Sequence, residues 1–337
     1  MDWFERLTGF RETAYDDTRA KLKVEGNRLQ SLINRKRYGI GELELVPLKV
    51  LRERVNSARG RSGRIKVSVV TGDVRQMHQL PGNAGALFQV ASQFNLLEMV
   101  SPAVTPEHGV TGYQNDRTQG PACAIAAGAA TIYRNYFAPV GGSAGQTTER
   151  QFDGLADLGA ALGAALNQPV EALWKMQNGY ALCTRAGLDA IADHLRALPP
   201  EEIDVLRGKL CIGLHRDVEV TDAAGEPRPL MSQAFCSALP VAYTRVPSPH
   251  WEPFASLVLQ AAYEATMSAA VLNAQRGISN VVLLTQLGGG AFGNHDEWIH
   301  AAMRRALEMM SGLELDVRLV SYGTPSRAIL QMAEEFN

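Results

Sequence analysis

Leu287-Gly288-Gly289-Gly290-Ala291-Phe292-Gly293-Asn294 is the stretch of this 337-residue sequence that says most about the fold. It follows a nearly continuous apolar run at residues 280–286 (NVVLLTQ), which predicts a buried strand, and it precedes a helical pattern over residues 295–310. Glycines let backbone N–H groups approach an anion, and the N-terminus of the next helix adds a favourable dipole. The stretch therefore predicts a phosphate-binding loop. The simpler alternative is a tight strand-to-helix turn that binds nothing.

Three of these glycines, Gly288, Gly290 and Gly293, also satisfy the G-x-G-x-x-G pattern of dinucleotide-binding dehydrogenases. That fold needs an acidic residue at the end of a second strand about 20 residues later, and most of a sheet after it. Only 44 residues follow Gly293 in this sequence of 337, and Glu314 and Asp316 flank the start of the next predicted strand. The pattern therefore does not indicate a Rossmann domain.

A second strand-to-turn junction lies early in the chain, where the apolar residues 65–70 run through Thr71 into Gly72-Asp73-Val74. An acidic side chain just past a strand end lies at the ligand-binding edge of an α/β sheet. Its carboxylate can accept a hydrogen bond from an adenine amino group. The alternative is that Asp73 only forms the turn.

The order of patterns along the chain predicts a three-layer α/β/α fold with a mixed sheet, because strands alternate with helices. Residues 1–58 are predicted to be a helical N-terminal extension, and residues 59–337 one domain with a helical insertion at about residues 150–210. The predicted strands cover residues 65–70, 86–91, 210–220, 233–243, 280–286 and 315–321, and the main helices residues 121–136, 254–275 and 295–310.

Composition limits the classes of partner. The 33 Lys and Arg residues balance 35 Asp and Glu residues to a net charge of -2, which gives no overall attraction to nucleic acid or to an anionic membrane. No uninterrupted apolar run has the length of a membrane span, and the first ten residues carry too many charges for a secretory signal. The four cysteines form no C-x-x-C pair. We therefore expect a cytoplasmic protein with reduced thiols and with neither nucleic acid nor membrane as a partner.

Together, the motifs resemble those of the macrodomain superfamily. Gly72-Asp73-Val74 is similar to the Gly-Asp-Ile that follows the first core strand of macrodomains, and residues 89–95 (QVASQFN) are similar to their Asn-containing second strand. Residues 288–294 (GGGAFGN) resemble the second phosphate loop of the microbial poly(ADP-ribose)-glycohydrolase-like branch, which includes bacterial effector-type ADP-ribosylhydrolases. The resemblance covers about residues 64–330 and leaves residues 150–210 unmatched.

The resemblance implies a cleft for ADP-ribose or an ADP-ribosylated protein. Asp73 and the backbone of Val74 would hold the adenine, Tyr322 would stack beside it, and Asn95 would hydrogen-bond the distal ribose. Phe292 would pack on a ribose. Taken singly, these aromatic residues could equally be core-edge residues, and Asn95 could be a cap or turn residue. The loop around the diphosphate would consist of Gly288, Gly289, Gly290, Ala291, Phe292, Gly293 and Asn294.

The catalytic carboxylate stays open, because residues 96–120 differ from the Gly-rich or paired-Glu loops of the family. Asp116 is the first candidate, since the Gly120-Pro121 start of the next helix should face the phosphates. Glu98 is the second candidate and Asp296 is the third. An acidic residue in a first helical turn usually serves the helix dipole, so Asp296 has an ordinary structural explanation.

Asn294 and Glu297 also have the spacing of a helix-capping box, with Asn294 as the N-cap. The nearby His295 and His300 lack a third metal ligand, so neither a metal nor another cofactor is expected. The reaction that the resemblance implies is hydrolysis at the anomeric carbon of the distal ribose, through an oxocarbenium-like state.

Two alternatives to hydrolysis remain open, because a fold does not determine a function. The first is a module that binds ADP-ribose or an NAD-derived nucleotide without cleaving it. The second is an enzyme that acts on another nucleotide. All three interpretations require Asp73 and Gly290 to line one groove.

Overall fold

Helices and strands alternate along residues 1–57 and 62–337, the part of the chain that the computed structural model describes. The strands are β1 (Leu22–Glu25), β2 (Arg28–Ser31), β3 (Arg37–Gly39), β4 (Glu42–Pro47), β5 (Lys66–Thr71), β6 (Leu87–Ala91), β7 (Pro139–Val140), β8 (Ser143–Ala144), β9 (Trp174–Gln177), β10 (Tyr180–Cys183), β11 (Cys211–Glu219), β12 (Leu230–Cys236), β13 (Val281–Leu284) and β14 (Asp316–Ser321).

The α-helices are α1 (Trp3–Thr8), α2 (Tyr15–Ala20), α3 (Leu48–Ser57), α4 (Val74–Met77), α5 (Gln119–Ala126), α6 (Gly128–Tyr136), α7 (Ala156–Leu166), α8 (Val170–Leu173), α9 (Arg185–Ala197), α10 (Pro200–Arg207), α11 (Ser248–Gln275), α12 (Asp296–Met309) and α13 (Arg327–Glu335). Short 3₁₀ turns lie at Pro81–Asn83, Pro106–His108, Thr111–Asn115 and Val241–Tyr243.

Seven strands form the central sheet, in the order β4-β11-β12-β6-β13-β14-β5. The strands from β12 to β5 in that order are all parallel, whereas β11 runs antiparallel to both β12 and β4. The predicted mixed sheet is thus confirmed. Because parallel strands end at one edge, the segments that follow β5, β6, β12, β13 and β14 emerge side by side.

Helices cover both faces of this sheet. On one face α11 packs against α3, α9 and α12, and α13 packs on β5. On the other face α5 packs on β6 and α6 packs on β11, where Cys123 and Ala130 belong to one buried cluster with Phe88 and Phe235. The three-layer α/β/α architecture predicted from the sequence is therefore confirmed. By length and composition α11 could cross a membrane, but 83% of its apolar window is buried inside this protein.

The N-terminal segment departs in part from its prediction, because it contains four strands as well as the helices α1, α2 and α3. Strands β1, β2 and β3 form a small antiparallel sheet, and β4 forms an edge of the central sheet. Leu22, Val24 and Leu29 lie on the more buried side of the small sheet, between exposed charged residues. The spacing of two between Leu22 and Val24 is a strand period, but so short a run is easily mistaken for a helical pattern. The predicted boundary after residue 58 falls at residues 58–61, outside the described part of the chain.

Three other elements have bounds that the sequence did not indicate. The helix predicted over residues 121–136 is interrupted at Ala127 into α5 and α6. The strand predicted over residues 233–243 ends at Cys236, and the chain then turns away from the sheet. Residues 150–210 contain α7 to α10, as well as a β9–β10 hairpin that the helical prediction omitted.

Candidate functional site

A cavity of about 930 Å³ lies at the carboxyl edge of the parallel strands. It is lined by the segments that follow β5, β6, β12, β13 and β14, and by residues 114–122. Its volume is within the range of about 300–1,000 Å³ that is typical of small-molecule sites. Asp73 and Gly290 both line it. The two turns therefore share one groove, as every interpretation of the sequence required.

The glycine loop, between β13 and α12, contains glycines with two different roles. Gly288 has a φ of +77°, and a Cβ there would lie 2.5 Å from the Ala238 Cβ, so a larger residue does not fit. Gly290 has no atom within 4 Å of its hypothetical Cβ and lines the cavity. Gly288 is thus required by the protein's own packing, whereas the space beside Gly290 is available to a ligand.

Asn294 closes this loop and does not cap the helix. Its backbone N–H donates to the Gly288 carbonyl at 2.9 Å, and its side-chain Nδ2 donates to the Leu239 carbonyl at 2.9 Å. The N-cap of α12 is His295, which makes no side-chain capping bond. The predicted capping box is therefore wrong, because the Asn294 amide is needed inside the loop. Gly289, Gly293 and Asn294 shape the loop without lining the cavity.

Tyr263 of α11 hydrogen-bonds the backbone just after β13. Its hydroxyl donates to the Thr285 carbonyl at 2.6 Å and accepts from the Leu287 N–H at 3.0 Å. The Thr285 N–H donates to the buried Gln89 side chain at 3.2 Å. These bonds fix the backbone where the strand becomes the glycine loop.

The acidic turn after β5 has the structural role considered for it and also lies at the cavity. The Asp73 carboxylate accepts from the Arg75 N–H at 2.8 Å and thereby caps α4, which is the structural role. Asp73 and Val74 also line the cavity. Tyr322 follows the neighbouring strand β14 and is 80% exposed at the cavity rim. An acidic and an aromatic side chain thus lie at neighbouring strand ends.

Glu98 is the most perturbed carboxyl group that lines the cavity. Its side chain is buried, with Oε1 3.5 Å from Nη2 of the fully buried Arg134. Its Oε2 has no hydrogen-bond partner among the described residues. Burial raises the pKa of Glu98 to about 7, and the Arg134 guanidinium and Tyr113 hydroxyl offset only part of that effect. A carboxyl group with a pKa near 7, and with one oxygen that has no hydrogen-bond partner among the described residues, therefore belongs to the lining of a ligand-sized cavity.

Asp116 also lines the cavity, but its side chain already has a local partner. Its Oδ1 accepts from the Thr118 N–H at 2.8 Å, which stabilises the turn before α5. The helix α5 begins at Gln119, with Thr118 as its N-cap, one residue before the Gly120-Pro121 start that the sequence predicted. Gly120 is still required, because a Cβ there would overlap the Ala91 carbonyl oxygen. Because Gly120 has no side chain, the start of α5 can approach the end of β6.

Besides Gly289, Gly293 and Asn294, two predicted site residues do not line the cavity, Asn95 and Asp296. Asn95 is buried, with Nδ2 donating to Gln151 Oε1 at 2.8 Å and Oδ1 accepting from the Leu97 N–H at 3.1 Å. It is the turn residue of the alternative interpretation. Asp296 is exposed in the first turn of α12 and does not line the cavity. Across residues 1–57 and 62–337, no three His, Cys, Asp or Glu side chains are grouped as metal ligands.

Sequence reasoning missed two aromatic residues of the cavity wall. Tyr180 of β10 and Tyr243 pack with Phe292, with ring centroids 5.1 to 5.6 Å apart. Tyr180 lies in the insertion and more than 100 residues from the glycine loop, so no local motif connects them. The Asn178-Gly179 pair between two short strand-like runs is the signal that would have indicated its hairpin.

With this site in view, similarity to solved structures can be considered. The chain is similar to bacterial poly(ADP-ribose) glycohydrolases. The enzyme from Deinococcus radiodurans in complex with ADP-ribose has 13% identity and a TM-score of 0.45, over 87% of this chain and 92% of that chain. The enzyme from Thermomonospora curvata has 13% identity and a TM-score of 0.43, over 91% and 92% of the two chains.

No model of a known protein family matches the sequence. No curated protein matches it either. With so few identical residues in the similar structures, any functional conclusion depends on the residues of this chain's own cavity.

Proposed function

We propose that this protein binds an ADP-ribosyl group along the cavity and hydrolyses its glycosidic bond at the distal ribose. The observation that carries the proposal is Glu98. It is a buried carboxyl group with a pKa of about 7 and an unengaged oxygen, and it shares the cavity with the glycine loop. The bacterial glycohydrolases of similar fold, one of them in complex with ADP-ribose, are consistent with this ligand.

The sheet order supports an orientation for the ligand. Asp73 and Tyr322 follow β5 and β14, the glycine loop follows β13, and Glu98 lies in the segment after β6. From β5 to β6 there are three strand spacings, or about 14 Å. In this proposal the adenine lies over β14 and β5, the diphosphate lies at the glycine loop, and the distal ribose reaches Glu98.

Two groups of backbone donors suit the diphosphate. Gly288 and Gly290 line the cavity without side chains, and the start of α5 lines it as well. Thr118 makes no side-chain capping bond, so the N–H groups of Gln119 and Gly120, the two that precede Pro121 in α5, would be available to an anion. The Arg117 guanidinium, at the same wall, adds a positive charge. Fixing the diphosphate in this way would hold the anomeric carbon in place.

Glu98 would act first as an acid and then as a base. Protonated Glu98 donates its proton to the leaving oxygen while the bond from that oxygen to the anomeric carbon breaks. Water then adds to the oxocarbenium-like carbon and gives a proton to the Glu98 carboxylate, which restores the starting state. A pKa near 7 suits both steps at neutral pH. We place Glu98 ahead of Asp116, whose Oδ1 is engaged by Thr118, and ahead of Asp296, which is outside the cavity.

Single substitutions of the three carboxyl groups test the assignment. Glu98→Gln is expected to slow release of ADP-ribose from modified protein by about 10²- to 10⁴-fold, the usual contribution of acid–base catalysis. Its affinity for free ADP-ribose, measured by calorimetry, should stay within a few-fold of the wild type. Asp116→Asn and Asp296→Asn should each change turnover by less than about tenfold.

Three other outcomes would each contradict a different part of the proposal. Full turnover by Glu98→Gln would show that another group is the acid. Binding of ADP-ribose by a wild-type protein that releases nothing from mono- or poly-ADP-ribosylated protein would favour the binding module. Tighter binding of NAD or AMP than of ADP-ribose would favour an enzyme for another nucleotide.

A further inference from the structure

The segment that carries Glu98 has little regular structure of its own. The Glu98 loop, residues 92–105, connects β6 to the 3₁₀ turn at Pro106–His108 without a helix or strand. Leu96, two residues before Glu98, has a φ of +64°, a strained value for a residue with a branched side chain. Such a backbone persists only where its surroundings hold it.

The β9–β10 hairpin of the insertion packs against the Glu98 loop and supplies part of this support. Gln177 pairs with Tyr180 across a two-residue turn, and Asn178 and Gly179 have φ values of 47° and 80°. Two positive φ values at an Asn-Gly pair are characteristic of a tight type I′ turn. The hairpin therefore presents its tip and first residues in one defined geometry.

The tip of the hairpin binds the far end of the Glu98 loop. Asn178 Nδ2 donates to the Pro102 carbonyl at 2.7 Å, and Gln177 Nε2 donates to the same oxygen at 3.1 Å. Both lone pairs of one loop carbonyl are thus engaged by hairpin side chains. Asn178 Oδ1 in turn accepts from Gln151, which also holds Asn95.

Two further bonds act on either side of Glu98. The Gly179 carbonyl accepts from the Phe94 N–H at 3.0 Å, before Glu98 in sequence. The Tyr180 hydroxyl donates to the Met99 carbonyl at 2.6 Å, directly after it. The Tyr180 ring is 1% exposed and forms part of the cavity wall. Hairpin contacts therefore hold the loop on both sides of the carboxyl group.

We infer that the β9–β10 hairpin, through Asn178 and the Tyr180 hydroxyl, positions the Glu98 side chain toward the cavity. The expected effect on catalysis rests on the proposed function, whereas the expected effect on the position of Glu98 does not. Tyr180 is a positioning residue in this scheme, because its hydroxyl binds the Glu98 loop. A misplacement of about 1 Å in a reacting group can cost about a hundredfold in rate. The insertion would thus add to the support that Tyr113 and Arg134 give the Glu98 loop through their bonds to the Glu98 N–H and the Leu96 carbonyl.

The test compares two substitutions, each of which removes the hydroxyl group of a buried tyrosine. Tyr180→Phe removes the bond to Met99 and keeps the ring in the wall. Tyr38→Phe is the matched control, because the buried Tyr38 hydroxyl donates to the Leu7 carbonyl at 3.1 Å in the N-terminal cluster, outside the cavity lining. The readout that needs no turnover is the Glu98 pKa, measured by carbon NMR of glutamate-labelled protein and assigned with Glu98→Gln.

In Tyr180→Phe, water should reach a less firmly held Glu98, so its pKa should move down from about 7 toward the ordinary glutamate value. The turnover number should fall by about tenfold or more, with the affinity for ADP-ribose within about twofold. Asn178→Ala should move the pKa and the turnover number in the same directions. Tyr38→Phe should change neither quantity, although both tyrosine variants lower the melting temperature.

The outcomes separate this inference from the proposed function. An unchanged Glu98 pKa in both Tyr180→Phe and Asn178→Ala would overturn the positioning role. A lowered pKa together with unchanged turnover would support the positioning role and contradict catalysis by Glu98. Equal pKa changes in Tyr180→Phe and Tyr38→Phe would mean that general loosening, and not the hairpin, moves the group.

Discussion

The two ends of the cavity are built in opposite ways. At the β14–β5 end, Tyr322 is 80% exposed and Asp73 is half-buried, so any contact there is made beside water. At the β6–β12 end, Glu98 is 3% exposed and Tyr180 is 1% exposed. Hydrogen bonds beside water contribute modestly to affinity, whereas burial changes the proton affinity of a carboxyl group. In the proposed function, the exposed end of the cavity would recognise the ligand and the buried end would perform the chemistry.

A change of pH should affect only the buried end of the cavity. Burial raises the Glu98 pKa to about 7, so the proton that the first step needs is present below pH 7 and is lost above it. Single-turnover release should therefore fall about tenfold per pH unit above 7, or about a hundredfold by pH 9. Calorimetry in the same buffers should show nearly constant affinity for ADP-ribose.

A rate that rises through pH 7 would mean that ionised Glu98 is the working form, as a base. A rate without any inflection near pH 7 would remove Glu98 from the reaction. The Glu98→Gln variant is the control, since its small residual rate should show no inflection near pH 7 in either case.

The next largest effect is expected at the glycine loop, between the two ends. Gly290→Ala adds a methyl group where the protein leaves open space, so the fold should tolerate it. The methyl group would project into the space assigned to the diphosphate. Overpacking costs about 1–3 kcal/mol, which is about ten- to a hundredfold in affinity. Calorimetry should show that loss, with the melting temperature unchanged within about one degree.

Gly323→Ala is the matched control for this substitution, because Gly323 is equally open but does not line the cavity. It should bind ADP-ribose like the wild type. Equal affinity of the two alanine variants would mean that the diphosphate is not held at the glycine loop.

The part of the site that the sequence predicted depends on local patterns. Asp73 and Gly290 each follow a strand directly, and parallel strands share one edge, so two distant turns could be placed in one groove without coordinates. The acceptor role of Asp73 in its own turn was equally predictable. Both inferences require only the strand and the residue that follows it.

The part that the sequence missed depends on contacts between distant segments. Asp116 ranked first because it precedes a helix, yet the buried carboxyl is Glu98, whose environment comes from Arg134 and the β9–β10 hairpin. No spacing along the chain encodes that burial. The small N-terminal sheet was missed for another reason. The strands β1, β2 and β3 have only three or four residues each, which is too short to distinguish a period of 2 from one of 3.6.

The smallest effect should come from the exposed end, where Asp73→Asn removes a charge and keeps both the shape and an oxygen that can cap α4. Loss of a preferred acceptor for the adenine amino group should cost about 0.5–1.5 kcal/mol, or about two- to tenfold in ADP-ribose affinity. The turnover number at saturating substrate should not change, because Asp73 follows β5 and Glu98 lies beyond β6.

The analogue of ADP-ribose with unsubstituted purine in place of adenine, which lacks that amino group and gains no other donor, makes the test specific. Wild type and Asp73→Asn should bind it equally, since neither can use the missing donor. A difference that persists with the analogue would mean that Asp73 acts on the fold of the turn and not on the base. A fall in turnover at saturation would be more serious, because recognition at the exposed end and chemistry at the buried end would then be coupled, and the cavity would have to be treated as one site.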